Sequence, residues 1–176
     1  AMSFKKIFSA EQMRAADTYT IRHEPITSIG LMERAAGACC KWILENLTGQ
    51  NNISIICGTG NNGGDGIAAA RLLMDKGCTV RAFLVGDREK MTPDAKAMEQ
   101  RLLEVGGVLE PYRPNDWLLS LWLTTCDGVV DALFGVGLAR PVEGDFRTAI
   151  EQINHLHSRF CPVISCDIPS GLSSDS

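Results

Sequence analysis

The sequence predicts an α/β fold, a three-layer αβα sandwich with a Rossmann-like, mostly parallel β-sheet. Short apolar segments rich in β-branched residues alternate along the chain with longer segments of helical periodicity. A glycine-rich loop, GTGNNGGDG, joins the first apolar segment to a helix-like pattern, where nucleotide-binding sheets carry such a loop. With 176 residues and 45% apolar composition, the chain can bury one sizeable core, so we expect a single domain over 1–176.

The predicted elements follow one another in alternating order. Ser9 and Gln12 have the spacing of a capping box and predict a first helix over 10–22. Helical periodicity predicts further helices over 28–46, 64–76, 93–105, 115–124 and 144–157. Apolar, β-branched segments predict strands over 53–57, 79–85, 108–110, 128–134 and 162–166. Because helices separate the strands, right-handed crossovers should make the sheet parallel, with helices on both of its faces.

Charge and hydropathy argue against nucleic acid and membrane as binding partners. The net charge is -4 and no run of five like charges occurs, so neither nucleic acid nor an anionic membrane surface is expected to bind. No apolar stretch approaches the roughly 20 residues that span a bilayer. The first residues also lack the apolar centre of a signal peptide.

The cysteines form neither a C-x-x-C pair nor a metal-type cluster with histidine. The seven positions are Cys39, Cys40, Cys57, Cys78, Cys126, Cys161 and Cys166. This pattern is typical of reduced, buried thiols and predicts a cytoplasmic protein.

Three polar loops that contain glycine lie at the ends of strand candidates. They are 58-GTGNNGGDG-66, the segment 130-VDALFGVGLARPVEGD-145 and 167-DIPSGLSS-174. Ligands of open parallel sheets bind beyond the carboxyl ends of the strands, where the strand order reverses. We therefore expect the three loops to meet at one edge of the sheet and to form the site.

The first loop carries more than a phosphate-binding turn requires. It contains the pattern G-x-G-x-x-G over 58–63, and Asp87 ends the next strand candidate, which is a weak indication of a dinucleotide-binding oxidoreductase. The same loop also contains Asn61, Asn62 and Asp65, whose oxygen atoms suit a cation or sugar hydroxyls. A bound cation would offset the repulsion between a carboxylate and phosphate.

Five segments carry a family resemblance that covers essentially the whole chain. They are EQMRAADTYTI, LMERAAGAC, GTGNNGGDGIAAARLL, VDALFGVGLARPVEG and DIPSGLSSDS, in this order. Together they resemble the NAD(P)H-hydrate epimerases, the YjeF N-terminal domain family. The resemblance implies an isomerase with an αβα fold that interconverts the R and S forms of C6-hydrated NADH and NADPH (NAD(P)HX). A separate ATP- or ADP-dependent dehydratase, specific for the S form, then restores the cofactor.

The resemblance also implies the roles of individual residues. It places substrate contacts in the first loop, the second loop and the third, at Asn61, Asn62, Gly63, Gly64, Asp65, Gly135, Val136, Gly137, Leu138, Ala139, Arg140, Pro141 and Asp167. It implies one potassium ion per subunit, held by Asn62, Asp131 and Ser170. It further implies a homodimer, and a longer chain in which a dehydratase domain could be fused to this one.

Several of these residues also have a structural interpretation. Asp65 could cap the helix that begins near it, because acidic side chains favour a helix N-terminus. Asp131 could serve structure alone, although an unpaired buried carboxylate is costly. Asp167 could form a turn ahead of Pro169. Arg140 could bind phosphate or lie in solvent.

The chemistry suggests a hypothesis for Asp167. Loss of hydroxide from C6 leaves a cation that the ring nitrogen stabilises, and return of water from the other face inverts the centre. Asp167 would act first as general acid and then as general base. Inversion through ring opening is the alternative route. Two other classes stay open, a Rossmann-type NAD-dependent oxidoreductase and a non-catalytic interaction domain of the same fold.

The two remaining expectations concern the end of the chain and the dimer. The family's domain continues for some tens of residues beyond the segment that matches DIPSGLSSDS, so we expect the chain to be truncated at its C-terminus. In the predicted helix over 28–46, the apolar positions recur at helical spacing, which more often indicates core than a subunit interface. They are Leu31, Ala35, Ala38 and Trp42, with Leu47 just beyond the helix.

Overall fold

A computed structural model of the chain describes residues 27–47, 52–133, 144–158 and 161–165, together with the backbone of residues 5–7. Its sheet has six strands in the order β1-β6-β5-β2-β3-β4, and every neighbouring pair is parallel. The strands are β1 (Lys5–Ile7), β2 (Asn52–Cys57), β3 (Thr79–Leu84), β4 (Leu109–Pro111), β5 (Gly128–Ala132) and β6 (Val163–Ser165). The predicted parallel sheet is confirmed.

Five helices of the described ranges cover this sheet. They are α1 (Ser28–Asn46), α2 (Asn61–Asp75), α3 (Pro93–Glu104), α4 (Trp117–Thr125) and α5 (Gly144–Ser158). Two of them have a threonine as the N-cap residue, because a hydroxyl can accept a hydrogen bond from an N–H group that the helix leaves unpaired. Thr27 accepts from the N–H of Gly30 at 2.9 Å, and Thr92 accepts from that of Ala95 at 3.2 Å. None of the helices in these ranges is long and apolar enough to cross a membrane.

Alternation along the strands divides the core into two layers. Ile53, Ile55 and Cys57 of β2 pack in one cluster with α1, α2 and α3. Ile56 packs in a second cluster with α4 and α5. Since successive side chains of a strand point to opposite faces, a strand that is apolar at nearly every position must be covered on both. The three-layer sandwich is therefore confirmed.

Helix α1 packs into the first layer of the core. Its buried residues are Met32, Ala35, Ala36, Cys39, Cys40 and Ile43. The prediction that this helix contributes to the core is confirmed, but its buried face is centred on Met32, Cys39 and Ile43. Leu31, Ala38 and Trp42 are half-buried beside that face.

The strand order reverses between β2 and β5. From β2 the chain proceeds through β3 to β4 at one edge, whereas β5 lies on the other side of β2 and leads to β6. At the amino ends of this central pair, the N–H of Asn52 donates to the Asp127 carboxylate at 2.9 Å. The N–H of Asp127 donates back to the Asn52 carbonyl at 2.7 Å. The crevice expected at a strand-order reversal therefore lies at the opposite, carboxyl ends of β2 and β5.

Two features of the fold differ from the sequence prediction. Strand β1 was not predicted, because its sequence KKI holds two charged residues and it pairs with a single neighbour at the edge of the sheet. Helix α2 begins at Asn61 and not at 64, so the two asparagines of the glycine loop lie in its first turn. The predicted helix over 10–22 lies outside the described residues.

Two helical glycines predict opposite effects on stability. A Cβ at Gly66 of α2 would lie 2.6 Å from the Cβ of Ala132 and 3.1 Å from the Cys57 sulfur, whereas one at Gly37 of α1 would meet nothing within 4 Å. We expect Gly66→Ala to lower the free energy of unfolding by about 1–3 kcal/mol through overpacking. Gly37→Ala should raise it by about 0.5–1 kcal/mol, because alanine favours the helix.

The measurement is urea unfolding of both variants and the parent, followed by circular dichroism. Equal effects of the two substitutions would contradict a close approach of α2 to the sheet at Gly66.

Candidate functional site

The glycine loop passes between the ends of β3 and β5 at the point where the strand order reverses. The N–H of Gly58 donates to the Ala132 carbonyl at 2.9 Å, and the N–H of Val85 donates to the Cys57 carbonyl at 2.8 Å. A Cβ at Gly58 would lie 2.3 Å from the Leu133 carbonyl oxygen. The chain can therefore leave β2 along this path only with glycine at 58.

The first turn of α2 folds back onto the same loop. Gly60 is the N-cap and supplies no side-chain hydrogen bond, so the N–H groups at the helix start depend on other partners. A Cβ at Gly63 would lie 1.9 Å from the Gly58 carbonyl oxygen, so the helix also needs glycine here to approach the strand. The N–H groups and the helix dipole together make this end of α2 suitable for an anionic group such as phosphate.

The side chain of Asn61 is held by the start of α3. The hydroxyl of Thr92 donates to the amide oxygen of Asn61 at 2.7 Å while it accepts from the N–H of Ala95. The N–H of Thr92 donates to the Thr59 carbonyl at 3.0 Å. Thr92 thus ties the start of α3 to the glycine loop through its N–H, caps the helix through its hydroxyl, and orients Asn61 of the candidate site.

Asp65 lies in the interior of the molecule and does not cap a helix. It is the fifth residue of α2, the N-cap is Gly60, and its exposed fraction is 1%. The interpretation of Asp65 as a helix cap is therefore wrong, because the N-cap lies five residues earlier, at Gly60. A carboxylate in such a place is costly to bury unless polar or charged groups compensate it, which is typical of a functional position.

Asp131 brings a second carboxylate to the same edge. It lies opposite Ile56 in the pairing of β5 with β2, is half-buried, and accepts a hydrogen bond from the N–H of Leu133 at 3.1 Å. Burial raises the pKa of the Cys57 thiol, and the negative charge of Asp131 raises it further. The charge of Asp131 therefore acts on the last residue of β2, directly before the glycine loop.

The structure brings together part of the predicted site. Asn61, Asn62, Gly63, Gly64 and Asp65 form the first turns of α2, and Asp131 lies in β5 at the same carboxyl edge of the sheet, one residue before Ala132, whose carbonyl accepts from Gly58. The other predicted residues lie outside the described ranges, namely Gly135, Val136, Gly137, Leu138, Ala139, Arg140, Pro141, Asp167 and Ser170. Within those ranges, no group of three or more His, Cys, Asp or Glu side chains is placed to hold a metal ion.

Two residues near the loop were missed by sequence reasoning. Gly86 follows β3 with φ +110°, and a Cβ there would lie 3.1 Å both from the ring of Phe146 and from the methyl group of Thr59. The aromatic ring at the start of α5 therefore lies next to the glycine loop. The glycine after a strand was a visible signal, whereas the position of Phe146 depends on how α5 packs.

Asp87 has a local role that weakens the oxidoreductase interpretation. Its carboxylate accepts a hydrogen bond at 2.9 Å from the N–H of Glu89 and caps the short 3-10 turn Arg88–Lys90. The acidic residue that a dinucleotide-binding oxidoreductase would direct to a ribose is thus part of a turn on the surface.

Comparisons with known proteins identify the family to which the chain belongs. A sequence model of the family described as YjeF-related protein N-terminus matches residues 28–176. An NAD(P)H-hydrate epimerase of Limosilactobacillus fermentum is 37% identical over 171 residues, which are 97% of this chain and 77% of that protein. A bifunctional NAD(P)H-hydrate repair enzyme of Thermofilum pendens is 38% identical over 92% of this chain and 29% of its own length. The crystal structure of the yeast protein ynu0, YNL200c, superposes with a TM-score of 0.67 at 26% identity, covering 94% of this chain and 71% of that one.

The double role of Thr92 predicts the effect of removing its hydroxyl. We expect Thr92→Val to lower the free energy of unfolding by about 1–2 kcal/mol, because the N-cap of α3 and the partner of Asn61 are lost together. Thr92→Ser keeps the hydroxyl and should stay within about 0.5 kcal/mol of the parent. Chemical denaturation measures both values, and a serine variant as unstable as the valine variant would contradict the role of the hydroxyl.

Proposed function

Because the chain belongs to the family of YjeF-related protein N-termini, we infer that it is an NAD(P)H-hydrate epimerase, an isomerase. It interconverts the R and S forms of C6-hydrated NADH and NADPH and so serves repair of the nicotinamide cofactors. The observation that carries this inference is the position of the loop GTGNNGGDG at the strand-order reversal, beside Asp131. Relatives that align with nearly the whole chain are named for the same activity.

The described residues support one way of binding the substrate. The diphosphate would lie at the N-terminus of α2, where N–H groups and the helix dipole favour negative charge. Gly58 and Gly63 keep side chains out of this approach, and Thr92 orients Asn61 next to it. The ring of Phe146 adds an apolar surface beside the loop, suited to a flat part of the cofactor.

The proposed potassium ion would offset the repulsion between the carboxylates of this site and the diphosphate of the substrate. Asp65 is buried and Asp131 is half-buried at the same edge, where the substrate adds the charge of a diphosphate. We propose that Asn62 and Asp131, with Ser170, hold one potassium ion through amide, carboxylate and hydroxyl oxygens, which are the ligand types that hard cations prefer. When bound, the ion supplies positive charge that makes the local field favourable for phosphate.

For the inversion itself we propose Asp167 as the group that moves the proton. Its carboxylic acid would protonate the hydroxyl that leaves C6, and the resulting carboxylate would take a proton from the water that returns from the other face. The substrate contacts proposed for 135–141 would hold the ring during this exchange. In the sequence Asp167 comes two residues after Ser165, the residue of β6 that pairs with Asp131.

The remaining proposals concern context. The seven cysteines include six described thiols that are all free, which supports a cytoplasmic protein. A homodimer is proposed from the resemblance to the family. The bifunctional relative in Thermofilum pendens supports a longer form in which a dehydratase domain follows.

If the protein has this activity, the separated R form of hydrated NADH should be converted to the S form faster with the protein than without it. We expect Asp167→Asn to reduce turnover by about 10²–10⁴-fold, the usual contribution of a general acid or base, while the cofactor still binds. Asp75→Asn, a change at the far end of α2, should leave turnover unchanged. Chromatographic separation of the two epimers measures the rate.

Two outcomes would contradict these assignments. If the protein changed the absorbance of reduced nicotinamide without converting one epimer to the other, it would be an oxidoreductase. If Asp167→Asn epimerised at the parent rate, the activity would stand and the role of Asp167 would be wrong.

The ion predicts a potassium-dependent melting temperature. At potassium a hundredfold above its dissociation constant, binding should stabilise the fold by about 2.7 kcal/mol, a rise of roughly 5–10 °C. Asp131→Ala should abolish this rise and weaken cofactor binding. The exposed Glu104 supplies a control of equal charge, because Glu104→Ala should retain the full rise. Exchange of potassium for tetramethylammonium at constant ionic strength should lower the melting temperature of the parent to that of the Asp131→Ala variant. If the melting temperature of the parent is the same with and without potassium, the proposal of a bound ion is wrong.

A further inference from the structure

Two cysteines meet at the amino edge of the sheet, opposite the candidate site. Cys126 is the C-cap of α4 and stands shortly before β5, and Cys161 stands shortly before β6. Strands β5 and β6 are neighbours, with Val129 paired to Val163, and the N–H of Val129 donates to the Pro162 carbonyl at 2.9 Å. Continued by two residues, this register brings Cys161 opposite residue 127, next to Cys126.

The two thiols are neighbours and are within reach of solvent. The Cys126 thiol donates to the Leu123 carbonyl at 3.3 Å, and the Cys161 thiol donates to the Pro162 carbonyl at 3.7 Å. Both side chains are half-buried and pack against the second core cluster. Parallel neighbours in a sheet lie about 4.8 Å apart and successive residues rise about 3.3 Å, so a diagonal pair such as this one has a Cα separation of about 5.8 Å, within the range that a disulfide bridges.

The surroundings of Cys126 favour its thiolate. The neighbouring Cys161 thiol, together with the hydroxyl of Ser54 and the N–H of Gly128, lowers the pKa of Cys126 to about 7. Burial and the negative charge of Asp127 oppose this shift. The neighbouring Cys126 and burial raise the pKa of Cys161, so the pair consists of one reactive sulfur and one protonated partner.

Other described cysteines have no such setting. Burial, together with the neighbouring Cys39 and Cys78, raises the pKa of Cys40 to about 11. Burial also raises the pKa of Cys78 and of Cys57. These thiols stay protonated near neutral pH, so they serve as internal controls for the reactivity of Cys126.

We propose that Cys126 and Cys161 form a peroxide-responsive dithiol, in which hydrogen peroxide converts the thiol pair into a disulfide. In the first step the Cys126 thiolate attacks one oxygen of the peroxide, the O–O bond breaks, and the sulfenic acid and one water form after proton uptake. In the second step the Cys161 sulfur attacks the sulfenic sulfur, the S–O bond breaks, and the disulfide and a second water form. The two thiols lose two electrons, which the peroxide accepts.

The disulfide would join two connections that lie far from the glycine loop. It would link the end of α4 to the segment between α5 and β6, and it would close a loop of about 35 residues. Because the carboxyl edge with Asn61 and Asp131 is at the other end of the strands, epimerase turnover should stay within about twofold. The oxidised protein should melt roughly 5–10 °C above the reduced one.

The experiment treats the folded protein with hydrogen peroxide, blocks the remaining thiols with N-ethylmaleimide and maps the peptides by mass spectrometry. We expect one peptide pair joined through Cys126 and Cys161, lighter by two hydrogens than its reduced form. Cys161→Ala should stop at the sulfenic acid, which dimedone traps on Cys126. Cys40→Ser should form the same disulfide as the parent.

A second measurement separates this role from a structural one. The rate of Cys126 alkylation by iodoacetamide should rise with a midpoint near pH 7 in the parent. In Cys161→Ala the midpoint should move toward the ordinary thiol value of about 8.5, and Cys161→Ser should restore part of the shift through its hydroxyl. Circular dichroism confirms that each variant is folded. Alkylation of Cys126 no faster than that of Cys40, or a disulfide through any other pair, would overturn the proposal.

Discussion

The close approach of backbone to backbone at Gly58 is the constraint on which the rest of this structure depends. A side chain there would collide with the Leu133 carbonyl at 2.3 Å, and one at Gly63 would collide with the Gly58 carbonyl at 1.9 Å. Because both positions are glycine, α2 can begin directly against the ends of β2 and β5. The same contact that packs the helix onto the sheet thus leaves its N-terminal N–H groups at the crevice where a ligand of this fold would lie.

Each polar side chain of the candidate site is held in place by a different part of the fold. Asn61 is oriented by Thr92, and Asp131 by its place in β5 and by the N–H of Leu133. Asp65 is buried within α2. Each of these side chains is held by an element of the scaffold, so little conformational entropy remains to be lost when a ligand binds.

Much of the fold could be predicted because its determinants are local. The apolar, β-branched segment at 53–57 and the Thr92–Pro93 start of α3 each carry a strong signal of their own, and both lie where predicted. The start of α2 was placed three residues late, because tertiary contacts and not propensity allow a helix to begin with Asn-Asn-Gly-Gly. Strand β1 was missed, because its two lysines give no apolar pattern and its existence depends on pairing with a strand more than 150 residues away.

For the candidate site too, features with local determinants could be predicted and features that depend on long-range packing could not. That the loop at 58–66 and Asp131 share one edge could be predicted, because carboxyl ends of parallel strands always lie together. The contact of Phe146 with Gly86 could not, because it depends on the packing of α5. The apposition of Cys126 and Cys161 escaped prediction for a similar reason, since only the order of β5 and β6 in the sheet brings these cysteines together.

The reciprocal hydrogen bonds between Asn52 and Asp127 have a consequence for how the protein folds. Strands β2 and β3 are joined by a single helix and can form as one local unit, whereas β2 and β5 are joined across 75 residues. Closing this longer loop has a higher entropic cost, and it is recovered only when β5 docks. The crevice between β2 and β5 therefore does not exist in the early, locally formed half of the molecule. It arises only when β5 docks beside β2, so a chain able to bind its ligand is one in which this long-range pairing has already formed.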